Sequence, residues 1–172
     1  MKKLLIFLFL LILCGCNTTT PTKEVQKLFL SYNSLSSDLL MQLDNVMSTE
    51  DLNKEEQAKY KEVLKKQYED LKYSIQSEVI SDDKAIVTVE IEVYNLKKVI
   101  NDADKYLEEH RDEFYENNTF SKEKFWDYKL DKMKKETERI KYTLDLSLTK
   151  IDKIWHLDKL LEEDREKIHG LY

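Results

Sequence analysis

From Ala85 to Tyr94 the chain alternates without a slip. Ala85, Val87, Val89, Ile91 and Val93 fill one set of positions, and Ile86, Thr88, Glu90, Glu92 and Tyr94 fill the other. A period of two sends each set to its own face of a strand, one face apolar and the other mostly polar. A strand of this kind belongs to a sheet with one covered face and one wet face, which favours antiparallel pairing. Just before it, Tyr73, Ile75, Ser77 and Val79 alternate in the same way, and Ser81-Asp82-Asp83-Lys84 has the composition of a turn. The two runs together predict a β-hairpin. A second block repeats the pattern. From Ile140, Tyr142, Leu144, Leu146 and Leu148 alternate with Lys141, Thr143, Asp145, Ser147 and Thr149. Lys150-Ile151-Asp152-Lys153 then turns the chain into a fourth strand, Ile154-Trp155-His156-Leu157.

The remaining segments have helical spacing. Val25, Leu28, Phe29, Tyr32, Leu35, Leu39, Leu43, Val46 and Met47 form one apolar stripe, which predicts a single long helix with Thr22 as its N-cap. A second helix is expected from Asn53, where Glu56 completes a capping box. Its stripe is thinner: Tyr60, Val63, Leu64, Tyr68 and Leu71. Leu96 to Phe114 reads as a third helix, ended by Glu116-Asn117-Asn118-Thr119. Ser121 caps a fourth, with Phe120 and Phe125 placed as a hydrophobic staple. A short helix over Glu162–His169 stops at Gly170, which suits a left-handed cap. With only 2 glycines and 1 proline in 172 residues, few breakers interrupt these elements. The expected order is ααββααββα, an α+β fold with a curved, antiparallel, four-stranded sheet and helices packed on one face.

The N-terminal segment predicts location. Lys2 and Lys3 precede the apolar run Leu4–Leu13, which is too short to span a bilayer and suits the core of a signal peptide. Leu13-Cys14-Gly15-Cys16 follows. A C-x-C pair can bind metal or cycle redox states, but a site inside a secretion signal is removed with it; an uncleaved helical anchor is the other alternative for the apolar run. The stretch resembles the bacterial lipobox, in which a leucine and two small residues precede an obligatory cysteine. The resemblance implies cleavage between Gly15 and Cys16 and a diacylglycerol on the Cys16 sulfur. Residues 1–15 are then the signal peptide, 16–22 the lipidated cysteine and its tether, and 23–172 one domain at the extracytoplasmic face of a cell membrane. Two acyl chains anchor stably where one is marginal. Losing Lys2 and Lys3 leaves 26 of the 28 basic side chains against 34 acidic ones, a formal charge of −8. Anionic headgroups repel such a domain, which predicts that it stands off the bilayer. Asn17–Thr22, fully extended, reaches about 20 Å.

The closing stretch, IKYTLDLSLTKIDKIWHLDKLLEEDREKIHGLY, together with the element order, resembles small bacterial lipoproteins with a nuclear-transport-factor-like or cystatin-like domain. The resemblance implies a curved sheet wrapped around helices, often with a conical pocket. It implies no particular activity, since folds of this kind carry many functions.

Little in the sequence suggests catalysis. One glycine after Cys16 leaves no phosphate loop, and no metal-ligand spacing occurs. His110 reads as part of a solvated helix face, His169 as a cation at a helix C-terminus, and His156 as facing the wet side of its strand. The expected inner sheet face, with Tyr73, Ile75, Ser77 and Val79 on its first strand, holds no acid or histidine. Tyr32, Tyr73, Tyr142 and Trp155 combine apolar bodies with polar tips, and they are the candidate lining of a ligand pocket. The expected function is a non-enzymatic module, without cofactor, that binds a small apolar ligand or an envelope protein. An enzyme using a pocket acid or base and a helical spacer are the alternatives. No basic surface is available for nucleic acid.

Overall fold

The computed structural model describes residues 19–49 and 51–172. The signal segment, Gly15, Cys16 and Asn17 therefore lie outside the described residues. The described residues form α1 (Pro21–Asn33), α2 (Ser37–Thr49), α3 (Lys54–Glu69), β1 (Lys72–Ser81), β2 (Lys84–Tyr94), α4 (Leu96–Glu109), β3 (Tyr115–Glu116), β4 (Thr119–Phe120), α5 (Lys122–Lys135), β5 (Arg139–Ile151), β6 (Ile154–Leu157) and α6 (Glu162–His169). A 3-10 turn, Arg111–Phe114, joins α4 to β3.

The sheet is antiparallel, with order β1-β2-β5-β6. Val87 lies opposite Leu146 and Val89 opposite Leu144 at its centre. Val87, Val89, Ile91, Val93, Leu144 and Leu148 are wholly buried. They meet Val25 and Phe29 of α1 and Ile168 of α6 in the main core. The other sheet face stays wet and is laced by cross-strand polar pairs. Thr88 donates to Asp145 at 2.7 Å, and Lys141 to Glu90 at 2.8 Å. The fold is therefore the expected α+β sheet with one helix-covered face. Further from the sheet, Val63, Leu96, Val99, Leu130 and Met133 form a second cluster that joins α3, α4 and α5. A third, aromatic cluster forms around Ala103, Phe114 and Phe125.

Four expectations about local structure need correction. The long N-terminal helix is two helices. At the break the Ser36 amide donates to the Ser31 carbonyl and the Leu35 amide to that of Tyr32, at 3.0 Å each. This is a Schellman closure, with Leu35 rather than glycine in the left-handed position at φ 47°. Packing of Leu35 against the main core offsets the cost of that conformation, about 1 kcal/mol. The N-cap of α1 is Thr20, two residues earlier than expected, and Pro21 is the first helical residue. The helix expected over Leu96–Phe114 ends at Glu109. Beyond the 3-10 turn the chain forms a two-residue hairpin, with Asn117 and Asn118 both at positive φ.

The fourth correction concerns β1. The register against β2 shifts between Ile75 and Ser77, where Gln76 bulges. One extra residue moves every later side chain to the opposite face. Glu78 and Ile80, not Ser77 and Val79, therefore share the face of Val87 and Ala85. An acid does stand on the inner face, at its edge. Glu78 Oε2 accepts from the Thr22 amide at 2.9 Å and the Thr22 hydroxyl at 2.7 Å, closing the first turn of α1.

The Asn53–Glu56 capping box, the Ser121 cap and the staple between Phe120 and Phe125, ring centroids 6.0 Å apart, all form as expected.

Candidate functional site

The four expected pocket residues fall on one side of the sheet, and Tyr73 lines a cavity of about 160 Å³ with Lys72, Ser74, Glu90, Ile91 and Glu92. Tyr73 and Tyr142 flank Ile91 on neighbouring strands. Tyr73 stacks on Phe29 at 4.6 Å. The Tyr142 hydroxyl donates to the Tyr172 carbonyl at 2.9 Å, and its ring meets that of Tyr172 edge-on. Tyr32 is buried, edge-on to Tyr68 at 5.0 Å, and burial raises its pKa. Trp155 is buried at the far end of the sheet, with the Lys150 ammonium 5.3 Å from its ring. Phe29, Val25 and Ile168 pack against this face of the sheet in the main core. Tyr32 and Trp155 are core residues, and Tyr73 and Tyr142 pack half-buried against the same core, because a sheet with one covered face closes onto whatever helix lies across it.

The histidines divide differently from expectation. His156 is exposed on the wet side, as read. His169 is not a cation. Its ring is half-buried against Tyr68, with centroids 5.6 Å apart, and burial plus the nearby Arg165 charge lower its pKa to about 4. Desolvation outweighs the favourable helix dipole there. Asp164, in the first turn of α6, is buried, and desolvation raises its pKa against the pull of Lys167. Among the described residues, no three His, Cys, Asp or Glu side chains converge to hold a metal ion.

A concave feature that combines apolar, aromatic and charged side chains lies elsewhere, between α4 and α5. A cavity of about 380 Å³ opens there. Val99 and Ala103 of α4 form its apolar floor, and Tyr106 and Tyr128 its aromatic flank. Lys132 and Lys135 stand at the rim with Asp102 and Glu136. The geometry is set by a stack of three rings. Tyr106 lies between His110, at 3.9 Å and 13°, and Tyr128, at 4.8 Å and 15°. Phe114 meets both Tyr106 and Tyr128 edge-on. The Tyr106 hydroxyl donates to Glu113 at 3.0 Å, which raises its pKa, and the Lys132 ammonium sits 5.2 Å from the Tyr128 ring. Rings locked on one another lose little freedom when a ligand covers them, so the flank is preorganised. Sequence reading missed this site. It took Glu109-His110 for a plain charged surface. The signal was the spacing of Tyr106 and His110, four residues apart, which stacks their rings at the end of α4.

No helix of the described residues is long and apolar enough to cross a membrane. No protein-family profile matches the chain, and no curated protein matches it either. Among solved structures, the crystal structure of a candidate lipoprotein, ycdA, from Bacillus subtilis is similar to 88% of this chain, at 16% sequence identity and a TM-score of 0.42. This chain spans half of that protein's length, 50%.

Proposed function

We propose that this protein is a lipoprotein, held at the extracytoplasmic face of a cell membrane by a diacylglycerol on Cys16. We read it as a non-enzymatic binding module that takes a short peptide segment of another envelope protein in the α4–α5 groove. In our reading the sequence resemblance to nuclear-transport-factor-like or cystatin-like domains still applies, with Phe29 and its neighbours packed where such a domain often has its pocket. The groove carries the reading. An apolar floor with a rigid aromatic flank accepts a side chain, while lysines and acids at the rim can meet the carbonyls, amides and charges of an extended segment. The small-ligand reading is weaker, because Tyr32 and Trp155 are buried in the core and Tyr73 and Tyr142 pack against it.

Two experiments test this. Replacing Cys16 by Ala should release the protein from the membrane fraction; retention after a carbonate wash would refute the lipid anchor. For the groove, a photo-crosslinking amino acid at Tyr128 should give a discrete product in intact cells, and Lys132→Glu with Lys135→Glu should abolish it. The same residue placed at Thr143, on the wet face of the sheet, is the control. Equal products at both positions, or none at Tyr128, would refute the groove as the contact site.

A further inference from the structure

The tips of the two long hairpins lie side by side. The Lys150 amide donates to the Asp83 carbonyl at 2.8 Å, and the Lys84 ammonium to the Thr149 hydroxyl at 2.6 Å. This end of the sheet exposes aliphatic side chains. Val79, Ile80, Ile86, Ile151 and Ile154 are between 47% and 63% exposed. Val79 lies opposite Ile86, and Ile151 opposite Ile154. Their neighbours in the two turns are Lys84, Lys150 and Lys153 against Asp82, Asp83 and Asp152. The turns are thus neutral in a chain whose net charge is −6.

The N-terminal segment is fixed at the same end. The Trp155 amide donates to the Thr19 hydroxyl at 3.4 Å, one residue from the exposed Ile154. Thr20 caps α1, Pro21 is buried, and Thr22 is held by Glu78. Thr20–Thr22 therefore belong to the folded domain. Three residue steps separate Thr19 from Cys16, and they span at most about 11 Å.

We propose that the paired hairpin tips are a membrane-contact surface, with Val79, Ile80, Ile86, Ile151 and Ile154 seated in the headgroup region of the bilayer that holds the lipid of Cys16. The inference rests on acylation of Cys16, as proposed above. Given that anchor, so short a link cannot hold the domain away from the bilayer, and it brings this end of the sheet to the lipid. The acidic excess that headgroups repel lies outside the two turns. The aliphatic rim gains by leaving water. The domain lies against its membrane in one orientation, with the start of α4 and the end of α5 at the opposite end of the sheet.

The test uses the full, lipid-modified protein in vesicles of phosphatidylethanolamine and phosphatidylglycerol. Nitroxide labels are placed singly at Ile80→Cys and Ile154→Cys, with Thr143→Cys as the control. Mass spectrometry of each preparation reports acylation of Cys16. The tip labels should gain relaxation by oxygen and lose relaxation by a water-soluble nickel complex, while the control label stays water-like. In the double variant Ile151→Asp/Ile154→Asp, the Ile80→Cys label should return to the control value. Acylated protein whose tip labels match the control overturns this inference and leaves the anchor standing. Protein with an unmodified Cys16 overturns both.

Discussion

His169 shows how a single residue departs from its apparent role. In sequence it is a histidine in the last turn of a helix, where a positive charge is welcome. In the fold it is pressed against Tyr68, beside Arg165, and titrates near pH 4. The unfolded chain takes up this proton near pH 6.5 and the folded chain only near 4. Between those values the unfolded state binds more protons, so stability falls as pH falls through this window. His169→Phe keeps a ring against Tyr68 and removes the titration. It should recover about 1–2 kcal/mol of the acid-side loss over the first pH units below 6.5, measured by urea unfolding of both proteins at matched pH. Parallel pH profiles would show that the ring is solvated. The adjoining glycine was legible. Gly170 sits at φ 71°, and a Cβ there would lie 2.1 Å from the Tyr94 carbonyl oxygen. That second constraint, imposed by β2 and by the buried Gln67 that hydrogen-bonds both the amide and the carbonyl of Tyr94, has no trace in local sequence.

Among the elements, strands were the most legible, because alternation survives wherever one face is covered. Every position expected inward on β2 and β5 from Ala85 to Leu148 is at least partly buried. What alternation cannot show is a bulge. Tyr73, Ile75, Ser77 and Val79 read as one unbroken set, yet Gln76 resets the parity, and the consecutive Val79 and Ile80 let either reading pass. Helix stripes likewise conceal a break when the residue at the left-handed position is itself apolar, as Leu35 is. The bulge has a structural consequence, since it turns Glu78 toward the start of α1. Glu78→Ala should cost about 1 kcal/mol, the usual worth of a helix cap, with Glu78→Gln costing less. Chemical denaturation of both variants checks this, and an unchanged midpoint for the alanine form would place α1's first turn off the edge of β1.

At the scale of the molecule, the sheet, α1 and α6 form one core, and α4 and α5 lean on it through α3. The groove belongs to this outer layer, which is why the inward-facing aromatics gave the wrong address for it. Composition and strand pattern specify which side chains avoid water, but not which of them line a surface concavity after packing. The chain's entry into the fold was also obscured. NTTTPT reads as a polar tether, although Pro21 is buried, Thr20 caps α1, Thr19 accepts from the Trp155 amide and Thr22 donates to Glu78. The folded unit therefore starts before Lys23, and truncation can measure by how much. A chain beginning at Asn17 keeps the Thr20 cap, the buried Pro21 and the pair of Thr22 bonds. A chain beginning at Lys23 loses all three. The cap is worth about 1 kcal/mol and the Glu78 contacts about as much again. The shorter chain should thus be less stable by about 2–3 kcal/mol, with circular dichroism still showing helix beside strand. Coincident urea midpoints for the two chains would mean that residues 17–22 hang free. Under the anchor proposed above, they would then leave enough slack for the hairpin tips to stand clear of the bilayer.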